Sequence, residues 1–344
     1  MLPVSLAVRP SGDRSGDAAH SVLRHLAQLD QTESAVVLAS GMAAMACTMV
    51  SLLRPGDHLL ASGWLRTETR RFFEQELPAL GVQVSFVDPG ETRGWRRAVT
   101  RTTRALYLES PVDPTTRVVP MHPPRTLARE LGLALVVDAT VAGPINFRPT
   151  QHGADIVLHA TQRYLDGHGY APGSEHGYAF GGVVCGSDAL VDEIRGKMRA
   201  WGAEPHPAVL DQLARGLNTL PARVGQQNAT ALAVSQWAAT QVTSGGAIEA
   251  VHYLGLDTHP DHLVATASFS GYGNLMLLTM RDGEPAARTL LDRLRRFGTC
   301  EAEQASRIGG TTSVASALPG GSVRLNIGLD DATSLIHDLT QALD

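Results

Sequence analysis

Of the 29 basic side chains in the sequence, 28 are arginine and one, Lys197, is lysine. A lysine amine can lose its proton and attack a carbonyl, whereas a guanidinium stays charged and presents a planar fork of N–H donors. Lys197 is thus the sole side chain able to form a Schiff base, and it falls on an expected surface helix. Ser40, Gly41 and Met42 follow the apolar run Ala35–Ala39 and open an Ala- and Met-rich helix ending near Leu53. Serine and glycine at a helix start leave backbone N–H groups free, and the helix dipole favours an anion there. Asp138 ends the apolar run LALVVD, where a carboxylate faces a ligand or caps a turn.

The elements that must position these residues alternate. LLAS, VQVSFVD, ALYLES and LALVVD read as strands, separated by an Arg-rich helix from about Thr67 to Leu80, a short helix, and a helix from Pro124 to Leu131. Such alternation implies a mainly parallel sheet covered on both faces. Ligands in these folds bind beyond the carboxyl ends of the strands. That brings Ser40, Glu109, Asp138 and the segment after Val157 onto one rim. Residues 1–30 read as an irregular arm and a helix carrying Val22, Leu23, Leu26 and Leu29. Residues 207–244 read as two helices, and the character changes at Gly245-Gly246. Beyond it, strands near NLMLLTM and SVRLNIG, a helix from Glu284 to Phe297 and a last helix from Asp330 to Leu343 give an α+β unit. The expected organisation is an arm at 1–30, a large domain at 31–245 and a small one at 246–344.

Gly153–His168, GADIVLHATQRYLDGH, closely resembles the cofactor-lysine segment of the Cys/Met metabolism family of pyridoxal-phosphate (PLP) enzymes, GADIVxHSxTKYLxGH. SGMAA at Ser40, ARGLNTLPARV, SRIGGTTS and VRLNIGLDD resemble further motifs of the same family, in the same order, so that the likeness runs from about Leu26 to the C-terminus. It implies a fold-type-I PLP-transferase architecture: α/β, with a mainly parallel large domain and a smaller α+β C-terminal domain. It also implies a homodimer or homotetramer with sites at the subunit interface, and a small carboxylate-bearing ligand.

The resemblance assigns roles residue by residue. Arg163 stands at the Schiff-base lysine, Ala160 at the phosphate-binding serine and Gln162 at the phosphate-binding threonine. A one-residue slip pairs Thr161 with that threonine and Gln162 with the lysine; neither register supplies an amine. Ser40, Gly41 and Met42 match the phosphate cradle, Asp138 the aspartate facing the pyridine nitrogen, Thr140 a cofactor contact, and Arg66 the tyrosine that stacks on the ring. Asp113, in ESPVDP, replaces an asparagine that touches cofactor and substrate. Arg307 stands at a serine of the SLGGxES motif, and Arg324 matches the arginine that binds the substrate carboxylate. The arm motif YSRxxNPT falls on Ser11, Asp13 and Gly16 to Ala18 and is absent. Arg163, Asp138 and Gln162 are the candidate catalytic set. PLP is implied by the resemblance alone, without covalent attachment.

Composition narrows the classes. Hydrophobic residues make up 43% and charged residues 18%, with a formal net charge of −5 and no basic run, which argues against nucleic acid as partner. No apolar run reaches membrane-spanning length. Cys47, Cys185 and Cys300 lack paired spacing, which suits a reducing cytoplasm and no structural metal; His159, His168 and His176 match no compact ligand pattern. The Gly-rich segment 169–182 carries Tyr170, Tyr178 and Phe180 and is expected to pack over something. Three readings stay open: an enzyme using the old pocket without a Schiff base, a non-catalytic subunit or binding protein, and a carbon-sulfur lyase or transferase with noncovalent PLP.

Overall fold

The computed structural model describes residues 14–167, 180–299 and 308–344, with side chains from residue 19 onward. In chain order the elements are α1 (Arg14–Asp30), β1 (Ser34–Leu38), α2 (Gly41–Leu52), β2 (His58–Ser62), α3 (Thr67–Arg71), α4 (Leu77–Ala79), β3 (Gln83–Val87), α5 (Gly94–Ala98), β4 (Thr103–Glu109), α6 (His122–Leu131), β5 (Ala134–Asp138), α7 (Gly143–Asn146), β6 (Ile156–Ala160), β7 (Gly182–Gly186), α8 (Asp188–Ala200) and α9 (Pro207–Thr243). The smaller C-terminal part adds β8 (Ile248–His252), α10 (His262–Ser268), β9 (Leu275–Met280), α11 (Gly283–Arg293), β10 (Gly298–Thr299), β11 (Val314–Leu318), β12 (Ser322–Asn326) and α12 (Ala332–Leu343).

The first sheet has the order β1-β7-β6-β5-β4-β2-β3. Its pairs from β3 to β6 are parallel, and β7 runs antiparallel between β6 and β1. Both faces are covered, so alternate residues of one strand enter different cores. Val137, Val157 and Val183 pack in the core that includes α1, α6 and the start of α9, while Val136, Ile156 and Val184 pack with α2 and α8. This double burial explains why the strands read as continuous apolar runs. The second sheet, β10-β11-β12-β9-β8, is antiparallel except for β10 and β11, and carries α11 and α12 on a third core.

Four expectations about elements change. In place of two helices over 207–244, one helix of 37 residues, Pro207–Thr243, forms despite Pro221, because its apolar stripe is continuous: Leu213, Leu217, Leu220 and Val224 enter the first core, and Ala231, Val234 and Ala238 the third. The stretch from Thr67 to Leu80 is not one regular helix. It widens into a π turn at Phe72–Glu76 ahead of Pro78, since a proline lacks the N–H that a regular turn requires. The helix expected to reach Phe297 ends at Arg293, because the buried Asp338 carboxylate of α12 accepts the N–H groups of Arg295, Arg296 and Phe297 at 2.7–3.3 Å. Strands β8, β10 and β11 were not expected. Their partly polar sequences become strands through pairing with β9, β12 and each other, a tertiary effect that local pattern does not carry.

Candidate active site

The carboxyl ends of β1, β4, β5 and β6 meet at one rim, and small residues let them meet closely. Ser40 is the N-cap of α2, its hydroxyl accepting from the Ala43 N–H at 3.0 Å. The Gly41 and Met42 N–H groups, in the first turn, have no intrahelical acceptor. A Cβ on Gly41 would lie 2.9 Å from the Ala160 Cβ, and one on Gly182 would lie 2.2 Å from the Ser40 carbonyl oxygen. The helix start is therefore wedged against the ends of β6 and β7, with the methyl of Ala160 as its neighbour.

Beside this cradle stand the acids. Glu109 and Asp138 are register partners in the parallel β4–β5 pair. Asp138 accepts from the Thr140 N–H at 2.9 Å, and the Thr140 hydroxyl accepts from the Ala160 N–H at 2.9 Å, tying the ends of β5 and β6 together. Glu109 is buried and accepts from the Arg66 N–H at 2.9 Å and the Thr69 hydroxyl at 2.6 Å. Burial, reinforced by the Asp138 charge, pushes the Glu109 pKa up to about 7. Sequence reasoning set Glu109 on the rim without a role; the available signal was a carboxylate closing an otherwise apolar strand.

Three arginines face these acids. Arg66 is held through its backbone by Glu109, and its guanidinium lies 3.4 Å from Glu68. Burial opposes its charge, but Glu109, Asp113, Glu68 and Asp138 outweigh burial and leave its pKa raised. Arg324, on β12, reaches across the two parts of the chain so that Nη2 lies 2.9 Å from each carboxylate oxygen of Asp113; the side chains are 5% and 7% exposed. Arg163 is 6% exposed, its Nε has no hydrogen-bond partner, and its guanidinium makes no ion pair among the described residues. Burial and the like charges of Arg66 and Arg324 lower its pKa to about 10, with Asp113 and Asp138 acting the other way. It remains a cation at neutral pH.

The chain around Arg163 is clamped from several sides. Tyr164 donates its hydroxyl to Asn274 Oδ1 at 2.9 Å and accepts from the Asn274 N–H at 3.1 Å, while its carbonyl accepts from Arg223 Nη2 at 2.9 Å. Gly309, at φ +76°, approaches so closely that a Cβ would lie 2.6 Å from the Arg163 carbonyl carbon and oxygen. On β6, His159 Nε2 pairs with the Asp30 carboxylate at 2.8 Å and fixes α1. Thr161 Oγ1 and Gln162 Oε1 are buried acceptors without partners among the described residues. Met42 lies at the α2 start and is 38% exposed.

Of the sequence-derived site residues, Asp113 and Asp138 lie near enough for their charges to act on the guanidiniums of both Arg66 and Arg163, and Arg324 near enough to act on that of Arg163, while Ser40, Gly41 and Thr140 adjoin them through Ala160. Arg307, His168 and His176 lie outside the described residues, as does the Gly-rich segment as far as Ala179. A helix-start cradle and a facing carboxylate suit the acidic and ring ends of PLP. The amine does not: Lys197 is on α8, which packs on α2 and β1, and makes no hydrogen bond or ion pair with the described pocket side chains. A Schiff base to the protein therefore does not fit these residues. No helix among the described residues is long and apolar enough to cross a membrane.

Comparison with known proteins agrees with this architecture. The chain is 33% identical to the L-methionine gamma-lyase of Pseudomonas putida over 335 residues, spanning 92% of this chain and 81% of that protein. It is 31% identical to the cystathionine gamma-synthase of Mycobacterium leprae over 343 residues, with 96% and 85% covered. It is 32% identical to the canavanine gamma-lyase of Pseudomonas canavaninivorans over 336 residues, with 93% and 81% covered. The crystal structure of metB from Corynebacterium glutamicum superposes with a TM-score of 0.85 at 25% identity, covering 95% of this chain and 84% of that one. Residues 12–344 match the family profile, and the chain belongs to the Cys/Met metabolism PLP-dependent enzymes.

Proposed function

We propose that this chain acts on a small anionic or amino-acid-like molecule in the family's cofactor pocket, without a Schiff base to the protein. The observation that carries the reading is Arg163, a cation 6% exposed with no ion pair among the described residues. Resemblance aligns it with the family lysine. A buried charge without a partner is costly unless a ligand supplies one. In this reading Gln162 and Asp138 accompany Arg163 at the reacting end, and Arg66 lies over the flat face of the ligand. Ser40, Gly41, Met42 and Thr140 hold an acidic end, while Asp113, Arg307 and Arg324 form the substrate end. The relatives are named for methionine, cystathionine and canavanine, which supports an amino-acid-like ligand. A homodimer or homotetramer working in the cytoplasm accords with the family, as does division of the chain at about residue 245.

The test is spectroscopic. Purified protein mixed with PLP is expected to develop no visible band that borohydride removes, and Arg163→Lys is expected to develop one. A removable band in the unaltered protein would overturn the reading. A spectral change that resists borohydride would instead favour noncovalent PLP, which the Ser40 cradle and Asp138 support. No ligand of any kind, with the altered protein equally silent, would favour a non-catalytic partner of another chain.

A further inference from the structure

We propose that Asp261 is a positioning residue for the candidate pocket: through Arg117 and Trp64 it fixes the loop that carries Arg66, and through residues 112–118 it fixes the turn that carries Asp113. Two walls of the pocket are set in this way, whatever ligand it takes. Asp261 stands at the N-cap of α10, where an aspartate ordinarily accepts from the N–H groups of its own helix. Its side chain makes no such bond. The carboxylate turns instead to the large part of the chain, 144 residues earlier. Oδ2 accepts from Arg117 Nε at 2.6 Å and from the Val118 N–H at 2.9 Å, and Oδ1 lies 3.3 Å from Arg117 Nη2. A forked contact on a buried carboxylate is a stronger tie than an exposed ion pair. The same guanidinium lies over the Trp64 ring, 4.1 Å from its centroid, within reach of a cation–π attraction. Trp64 belongs to a tight loop: its N–H donates to Ser62 Oγ at 3.0 Å, and the Gly63 N–H to the Val87 carbonyl at 2.6 Å. Two residues on, the Arg66 N–H reaches Glu109 at 2.9 Å. Arg117 therefore presses on a loop whose far end is set at the buried acids.

The turn itself is strained and is held from outside. Thr116 has φ +57°, a left-handed conformation uncommon for a β-branched residue and sustained only where the surroundings over-determine it. Its N–H donates to the Val112 carbonyl at 2.8 Å, and the Val112 N–H to the Arg117 carbonyl at 2.9 Å, which closes the turn around Asp113. The outside hold comes from His259. Its Nδ1 accepts from the Asp261 N–H at 3.1 Å, which leaves Nε2 as the protonated nitrogen, 3.0 Å from the Thr116 hydroxyl oxygen; that hydroxyl donates in turn to the Thr115 carbonyl at 2.7 Å. Burial keeps the ring neutral, its pKa lowered to about 4. Val118 packs with Leu254 and Ala265 in a small apolar cluster of its own. Contacts from residues 254–265 thus offset the strain, and Asp261 is the member that also reaches, through Arg117, the loop of Arg66.

Amide hydrogen exchange of the full chain, read by mass spectrometry, tests this without any ligand, so its outcome is separate from the borohydride result. In Asp261→Asn the amides at 63–66 and at 112–118 are both expected to exchange about tenfold faster, the factor for one charge-assisted hydrogen bond, while β5 and β6 keep their protection. Arg117→Ala, which removes the stack but leaves Asp261 on the Val118 N–H, is expected to speed 63–66 by the same factor. In the double variant 63–66 should be no faster than in Arg117→Ala alone, because the effect of Asp261 passes through Arg117; two independent stabilising contacts would instead add. Arg117→Lys, which keeps a cation over Trp64, should restore part of the protection at 63–66. Faster exchange at 112–118 with 63–66 unchanged would overturn the proposal. So would acceleration spread evenly over the chain in both single variants, which would make Asp261 a contributor to global stability alone. Should Asp261→Asn fold poorly, the alanine and lysine variants of Arg117 decide it: equal exchange at 63–66 in both and in the unaltered protein would refute the relay.

Discussion

His159 Nε2 sits 2.8 Å from the Asp30 carboxylate, and both side chains are 2% exposed. The contact joins the last residue of α1 to the strand that leads into Arg163. Burial alone would depress the His159 pKa, but the charge and hydrogen bond of Asp30, with help from Asp138, raise it above the ordinary histidine value. The stabilisation from this pair is thus fully present below the unfolded-state pKa and is lost as pH rises through the folded-state value. Unfolding midpoints followed upward from pH 6 should fall in the unaltered protein. Asp30→Ala should flatten that dependence and cost about 3 kcal/mol, as expected for orphaning one member of a buried pair.

Glu109 shows a related dependence with another origin. Its folded pKa of about 7 exceeds the ordinary 4.5 because burial and Asp138 disfavour its charge. A raised pKa means that the folded chain holds a proton that the unfolded chain releases. Stability therefore declines as pH rises from about 4.5 to about 7 and levels off above. Glu109→Gln should remove the decline and leave the variant more stable than the parent at pH 8, by on the order of 1–3 kcal/mol. Urea unfolding across this range measures it; equal slopes in parent and variant would refute the assignment.

Gly41 and Ala160 are close enough to test as a pair. Gly41→Ala brings two methyl carbons to 2.9 Å and should destabilise by about 1–3 kcal/mol, the usual cost of overpacking. Ala160→Gly in the same chain should recover most of the loss, a non-additivity expected of touching residues. Gly182→Ala meets a backbone oxygen at 2.2 Å and should not be rescued by any side-chain change.

Tyr164→Phe removes a hydroxyl that both donates to and accepts from Asn274 in a buried setting. About 1–3 kcal/mol of stability should go with it. Amide exchange should quicken around residues 161–167 and 273–275, the two segments joined there. Protection unchanged in both would show that Gly309 and Arg223 suffice to hold the turn.

The fold was legible because strands such as LVVD and ALYLE are buried on both faces and so read as unbroken apolar runs. The rim followed from the alternation of strands with helices, which implies a parallel sheet. Asp138, Arg163 and Arg324 were singled out through motif likeness, yet the pairing of Arg324 with Asp113 was not readable, since the two are 211 residues apart. Glu109 looked like any strand-ending acid. Its raised pKa depends on Asp138 beside it, which only the β4–β5 register supplies. Residues 207–244 read as two helices, whereas packing in two separate cores makes α9 a single helix that continues through Pro221.

That helix has a mechanical consequence. At 1.5 Å per residue, its 37 residues form a rod of about 55 Å, rooted at one end in the parallel-sheet core and at the other beneath the second sheet. A rigid axle shared by two lobes resists a clamshell opening, leaving twist about its own length and flexure at Pro221 as the compliant directions. Arg223, two residues on, grips the Tyr164 carbonyl. Torsion of the axle would therefore be felt first at the turn that carries Arg163, and heating should melt both lobes in one transition.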